Sequence, residues 1–435
     1  MRFVAGLALL LLVGLLLGAS SLVYAAYVLF AVYWLTRFWS KRWSESLRAT
    51  RHSSAREIEI GQSVSVQLKL ENRDRWPIAW ILLEDALPPA AIVGPPPALA
   101  LEGSNIRLCT LGGHQQRILS YKLTALRRGY YQLGPLIVET GDLFGLQRRF
   151  RTATTPIYLV VLPRIIPLAG YDLASRRPIG EVRVTYRLME DPTLVSGIRQ
   201  YQSGDPLRSV HWRATARTGQ LQSKQYQPTT VAGATLVLDL HRASNPDRHE
   251  PVRSDLAVTA AASIAHTLTL MHQQVGLVSN GRDAADRMAE EGNREFLTRD
   301  RARREAAMKN RSDRLRPVVI PHGRGIELFS ELLKALARLE RTDGLRLPEL
   351  LLESQSRFPR DATVLVIVQE VDEPAALALG MLRRQGYSVA TIVNNYENDA
   401  YAQAVGRLME QHIAVYHLLD EQSIPAICKE LALRH

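Results

Sequence analysis

The stretch Ile198-Arg-Gln-Tyr-Gln-Ser-Gly-Asp-Pro-Leu-Arg-Ser-Val-His-Trp-Arg-Ala-Thr-Ala-Arg217 is the densest run of arginine, aromatic and turn residues in the chain. Gly204-Asp205-Pro206 is a turn signal that a strand interior would not carry. Tyr201 and Trp212 beside Arg199, Arg208, Arg213 and Arg217 are not the composition of a disordered tail. An ordered, basic, aromatic connector over residues 166–230 is expected, and the hydrophobic period differs on its two sides.

Upstream, residues 56–165 alternate apolar and polar in short runs such as Val64-Ser-Val-Gln-Leu-Lys-Leu70 and Ile157-Tyr-Leu-Val-Val-Leu162. Turn clusters such as Asn72-Arg73-Asp74 and Gly94-Pro-Pro-Pro97 separate them, the pattern of an antiparallel β-sandwich. Downstream, residues 231–435 change period. Buried-type strands at Thr235–Leu240, Val275–Ser279, Thr363–Val368, Ser388–Val393 and Ile413–His417 alternate with helical patterns. That alternation predicts a doubly wound α/β domain, so the chain is read as α/β plus β. Residues 282–316 hold eleven Arg/Lys and eight Asp/Glu without apolar periodicity, and are read as a solvated excursion outside the core.

The N-terminus adds a third part. From Phe3 to Leu35 there is no charge. As one helix that run would be about 50 Å long against a hydrocarbon core of about 30 Å, so it is divided at Gly18-Ala19-Ser20-Ser21. A transmembrane helical hairpin within residues 1–40 is expected, with spans Phe3–Leu17 and Leu22–Thr36. Arg2 precedes it, and Arg37, Lys41, Arg42, Arg48 and Arg51 follow. The positive-inside bias places both ends, and the bulk of the chain, on the cytoplasmic side of the inner membrane. A cleaved signal peptide ending near Val23-Tyr24-Ala25 is the competing reading, but the apolar run continues past that point. Part of the net charge of +11 is therefore juxtamembrane and needs no nucleic acid partner. The two cysteines, Cys109 and Cys428, form no Cys-x-x-Cys and read as reduced thiols.

The connector fits Arg-x-Tyr-x-x-Gly-Asp-x-x-Arg-x-x-x-Trp-x-x-x-Ala-Arg over Arg199–Arg217. It resembles the domain-of-unknown-function-58 family, as do Arg128-Gly-Tyr-Tyr-Gln-Leu-Gly-Pro135, Asp142-Leu-Phe-Gly-Leu146 and Leu162-Pro163-Arg164. The resemblance covers residues 56–230 by motif and the rest by architecture. It implies a membrane-anchored protein in which a β-sandwich precedes a von Willebrand factor A-like domain. It also implies association with MoxR-type AAA+ ATPases and neighbouring membrane proteins, in the assembly or maturation of membrane or envelope complexes. It implies no reaction.

Two readings of the connector stand. Arg199, Tyr201, Gly204, Asp205, Arg208, Trp212, Arg213 and Arg217 form a surface for an acidic partner, or they close on themselves as an interdomain clasp with Trp212 packed between domains. Asp205, Ser209 and His211 lie too close in sequence to impose a catalytic triad, and no Gly-x-Ser-x-Gly occurs. A von Willebrand factor A domain holds Mg²⁺ through Asp-x-Ser-x-Ser, where this chain has Asp239-Leu-His-Arg-Ala243, and the head of the later loop is Gln369. No metal and no cofactor is expected. His241, Arg242, Arg248 and Arg253 replace the metal motif and are read as a cationic docking face at the strand ends. His266 and His272 fall on different helix faces and are no metal pair. Trp76-Pro77 and Trp80 are rim packing, or an aromatic loop close to the membrane. The leading expectation is a non-enzymatic scaffold or adaptor. A metal- or anion-dependent enzyme at the strand ends is the alternative, and nucleic-acid binding through basic surface the third.

Overall fold

The structure, a computed structural model, describes residues 2–143, 145, 147–167, 190–202, 210–228, 233–291, 315–360 and 362–427. It divides into two compact units. The first comprises Met1–Arg164, Arg282–Ser312 and Leu333–Glu340. The second comprises Ile165–Gly281, Asp313–Leu332 and Arg341–His435.

The first unit opens with helix α1 (Arg2–Leu16) and helix α2 (Ser20–Ser46). Gly18 makes the turn between them in the left-handed region, φ +64°. α2 is long and apolar enough to cross a membrane. Its 27 residues measure about 40 Å. The expected end of this helix was Thr36, and it runs ten residues further. Packing explains the extension. Trp43 is buried and Trp39 packs on the same core. Arg42 pairs with Asp74. The Arg151 guanidinium donates to the Ser44 and Leu47 carbonyls at 3.2 and 2.7 Å, which a helix end leaves without intrahelical partners.

α2 passes directly into a strand the sequence did not announce, β1 (Leu47–Ser53), so the sheets begin before residue 56. There follow β2 (Glu57–Glu59), β3 (Ser63–Asn72), β4 (Ile78–Asp85), β5 (Leu99–Glu102), β6 (Ile106–Leu111) and β7 (Gln116–Ala125). Then come β8 (Gly129–Leu133), β9 (Leu136–Gly141), β10 (Arg148–Thr154) and β11 (Ile157–Leu162). Two four-stranded antiparallel sheets, ordered β1-β3-β7-β5 and β10-β9-β4-β6, share one buried core. Strict alternation makes this work: Val64, Val66, Leu68 and Leu70 of β3 point inward while their neighbours face water. Cys109 is part of this core, and burial pushes its thiol pKa up.

Two charges lie inside these sheets. Arg51 of β1 pairs with Asp85 of β4, both inaccessible to water. Arg51 also donates to the Leu133 and Thr155 carbonyls, each at 2.9 Å. The Tyr121 hydroxyl donates to the other Asp85 oxygen at 2.6 Å, and burial together with that carboxylate keeps it protonated. Gly134 stands at φ +90° beside this pair, where a Cβ would enter the guanidinium's space.

The second unit includes β12 (Glu190–Gln200) and β13 (Gln222–Pro228), an antiparallel pair flanking helix Trp212–Thr218. Its sheet is built from β14 (Gly233–Leu238) and β15 (Gln274–Ser279), then, beyond β16 (Arg282–Asp283), β17 (Val318–Gly323). Beyond β18 (Leu339–Glu340) it adds β19 (Thr363–Val368), β20 (Ser388–Val393) and β21 (Ala414–His417). The order is β17-β15-β14-β19-β20-β21. All neighbours run parallel except β17, an antiparallel edge strand the sequence reading missed. Chain order reverses at β14, which makes the carboxyl ends of β14 and β19 the topological switch point.

The charged stretch 282–316 departs from its expectation. Its described start is helix Ala284–Glu291, with Ala284, Arg287 and Met288 buried. The Arg287 guanidinium reaches Glu340 at 2.8 and 2.9 Å, so a run read as solvated excursion contributes to the interior. Its described residues 282–291, with Leu333–Glu340, group with the first unit.

Replacing Arg51 by Met is expected to strand the Asp85 carboxylate and lower stability by about 3–5 kcal/mol. Thermal melts of the detergent-solubilised protein, read beside Arg51→Met with Asp85→Leu, check it: the double variant should recover much of the loss.

Candidate functional site

At the switch point a cleft of about 390 Å³ opens among Asp239, His241 and Ser244 after β14, Glu370 and Asp372 after β19, and, after β20, Glu397, Asp399 and Arg407 at the start and in the body of helix Asn398–Glu410. Asp239 lies beneath it, fully enclosed. Its carboxylate accepts from Ser244 Oγ at 2.5 Å, Asn280 Nδ2 at 2.6 Å and the His241 backbone N–H at 3.0 Å. Asn280 in turn accepts from the Leu240 N–H at 2.7 Å and donates to the Leu345 carbonyl at 2.9 Å. Asn245 Nδ2 donates to the His241 and Asp239 carbonyls at 2.9 and 3.2 Å. Burial pushes the Asp239 pKa up, against the pull of Ser244 and Asn280.

The chain therefore uses the strand-end aspartate as a hub for its own loop. An ion would have to displace three protein donors from it. Among the described residues, no group of three or more His, Cys, Asp or Glu could hold a metal. Ser244, Asn245 and Asn280 were not singled out from sequence. The signal available was Ser244-Asn245-Pro246 directly after a buried strand, a run whose short polar side chains bond back to the nearby backbone.

The four residues expected to form a cationic face lie in different settings. His241 is buried, with Nδ1 accepting from the Ala243 N–H at 3.0 Å. Arg242 is half-buried. Arg248 is exposed but pairs with Glu397 at 3.2 Å and lies 4.0 Å from Glu370. Arg253 is turned into the fold: it donates to the Leu419 carbonyl at 2.9 Å and to Asn394 Oδ1 at 3.2 Å, with its guanidinium over the Tyr396 ring. A joint cationic face is thus not what these side chains form. The loop cations close on carboxylates and carbonyls of the same unit, and acidic residues line the cleft. Sequence distance hid this, because Glu370 and Glu397 come from strands more than a hundred residues after Arg248.

His249, of the same loop, is buried between Gln369 Nε2 at 2.5 Å and Glu397 Oε1 at 3.0 Å. Gln369 stands where a metal motif would place a carboxylate, and its amide supports an imidazole. Both imidazole nitrogens are engaged and no nucleophilic side chain is bonded to either. On the cleft floor, Asp372 caps helix Glu373–Arg384 by accepting from the Ala375 N–H at 2.9 Å. Arg407 donates to the Val371 carbonyl at 2.5 Å.

Of the connector signature, Gly204, Asp205 and Arg208 lie outside the described residues. Arg199 and Tyr201 are half-buried at the end of β12. Trp212 is 68% exposed, and Arg213 and Arg217 are exposed on the same short helix. His211 caps that helix, its Nδ1 accepting from the Ala214 N–H at 3.1 Å. This is a structural role.

Residues 197–393 match a family model described as "Protein of unknown function DUF58". This region belongs to the DUF58 family. The region contains the whole Arg199–Arg217 signature and spans Asp239, Asn280 and Gln369; the upstream motifs at residues 128–146 and 162–164 precede it. The uncharacterized protein YeaD of Bacillus subtilis (strain 168) is 24% identical over 253 residues, 58% of this chain. The match spans 60% of that relative's length. Among solved structures, a CARDB domain from Pyrococcus furiosus aligns with 27% of this chain and 87% of its own, at 8% identity and TM-score 0.19. Proximal thread matrix protein 1 from the mussel byssus aligns with 46% of this chain and 47% of its own, at 9% identity and TM-score 0.30. Superpositions at this level carry no fold assignment for the DUF58 region.

A folded-state pKa raised at Asp239 means the folded protein holds its proton more tightly than the unfolded chain does. The stability it contributes is then full below about pH 4, the unfolded value, and is lost as pH rises toward the folded value. Thermal melts across that range should show wild type losing stability relative to Asp239→Asn as pH rises. Below about pH 4, Asp239→Ala should cost about 1–3 kcal/mol by leaving Ser244 and Asn280 without an acceptor, and that cost should shrink as pH rises.

Proposed function

We propose that the protein is a membrane-tethered scaffold or adaptor, without enzymatic activity of its own, whose strand-end cleft docks a protein partner. Its parts on this reading are an N-terminal transmembrane hairpin, a β-sandwich and a von Willebrand factor A-like α/β domain, with the bulk of the chain cytoplasmic. The observation that carries the docking reading is the cleft itself. It lies at the switch point of a parallel sheet, where such folds bind their ligands. The central aspartate is held by its own loop, while Glu370, Asp372, Glu397 and Asp399 outnumber Arg346 and Arg407 in the cleft lining. That lining suits a basic segment of a partner. A MoxR-type AAA+ ATPase is the proposed partner, and assembly or maturation of membrane or envelope complexes the proposed setting.

Affinity purification of the full-length protein from detergent extracts should bring down a AAA+ ATPase. Glu370→Lys with Asp399→Lys, both at the cleft and clear of the Asp239 network, should weaken its capture about tenfold or more. Recovery of the ATPase in undiminished amount with that variant would refute the cleft as the docking site.

A further inference from the structure

The β3–β4 loop, Arg73-Asp-Arg-Trp-Pro77, packs against the part of α2 that follows its last apolar residues. The first charge of α2 is Arg37, and Trp39 lies two residues, about 3 Å, further along the axis. Trp76 meets Trp39 edge-on with ring centroids 5.2 Å apart. The polar layer on each side of a hydrocarbon core is about 5–7 Å deep. If α2 spans the bilayer, this geometry puts Trp76 at the depth of the lipid phosphates.

The loop is fixed in place. Arg42 of α2 donates to Asp74, with Nη2 to Oδ1 at 3.1 Å. The buried Asn72 side chain donates to the Trp76 and Gly112 carbonyls at 2.8 and 3.0 Å and accepts from the Asp74 N–H at 3.0 Å. The His114 N–H donates to the Asp74 carbonyl at 2.9 Å, which ties in the β6–β7 turn. Yet Trp76 remains 40% exposed, Arg73, Arg75 and Pro77 are exposed, and the Arg75 guanidinium lies 5.3 Å from the Trp76 ring centroid. An indole held at the surface in this way, with a cation stacked on it, has the composition of an interfacial anchor. Around it Arg37, Lys41, Arg42, Arg73 and Arg75 outnumber Glu45 and Asp74. An anionic leaflet attracts such a collar.

We infer that the β3–β4 loop is a second membrane contact, with Trp76 seated among the headgroups and Arg73 and Arg75 on the phosphates of anionic lipids. It rests on the reading of α2 as a membrane span, and the test separates the two. Full-length protein is reconstituted into phosphatidylcholine vesicles with and without phosphatidylglycerol, containing a lipid that quenches tryptophan near the headgroup. Trp34→Phe reports on α2, and Trp76→Phe, which keeps a ring on Trp39, reports on the loop. Each substitution should remove a share of the quenchable emission, and the Trp76 share should be larger with phosphatidylglycerol. The exposed pair Arg73→Gln with Arg75→Gln should abolish that increase. Loss of quenching with Trp34→Phe but none with Trp76→Phe overturns the loop contact while leaving the span in place. No loss with either overturns the span itself, and an increase that survives the arginine pair overturns recognition of anionic lipid.

Discussion

Two charges that water cannot reach hold the first unit together. Arg51 and Asp85 are both enclosed, and either one alone would leave an ion in an apolar interior. The guanidinium fork also takes the Leu133 and Thr155 carbonyls, and Tyr121 completes the carboxylate. One side chain thus links β1 to β4, to the end of β8 and to the turn between β10 and β11. Because β1 continues α2 without a break, the same contact fixes the apolar helix to the sheets.

The second unit treats a buried carboxylate differently. Among the described residues, the donors bonded to Asp239 are a hydroxyl, an amide and a backbone N–H. Desolvation pushes its pKa up, against the pull of those donors. The loop after β14 is wound onto that group, which leaves the acidic cleft above it lined by residues from other strand ends.

Periodicity carried much of the fold. Alternation in Val64–Leu70 and unbroken apolar runs in Thr363–Val368 mark half-buried and fully buried strands, and both are where the sequence put them. What it hid depended on contacts between distant segments. β1 reads Leu-Arg-Ala-Thr-Arg-His-Ser, a polar run that becomes a strand because Arg51 is buried by Asp85. Ala284–Glu291 reads as solvated because Arg287 finds Glu340 only in three dimensions. At the cleft, Asp239 and the missing serines were legible. The closing of Arg248 and His249 onto Glu397 was not, since no local pattern pairs residues nearly 150 positions apart.

The unbroken passage from α2 into β1 makes the helix a shaft. A flexible linker would let the sheets turn freely about the helix axis, whereas here the rotational phase of the apolar helix sets the compass heading of the sheets that follow it. Each residue of α-helix is worth about 100° of rotation. A chain one residue longer between Thr36 and Trp39 would therefore swing the sheets by more than a quarter turn while raising them only about 1.5 Å. Length between the last apolar turn and Trp39 is thus an angular coordinate far more than a distance.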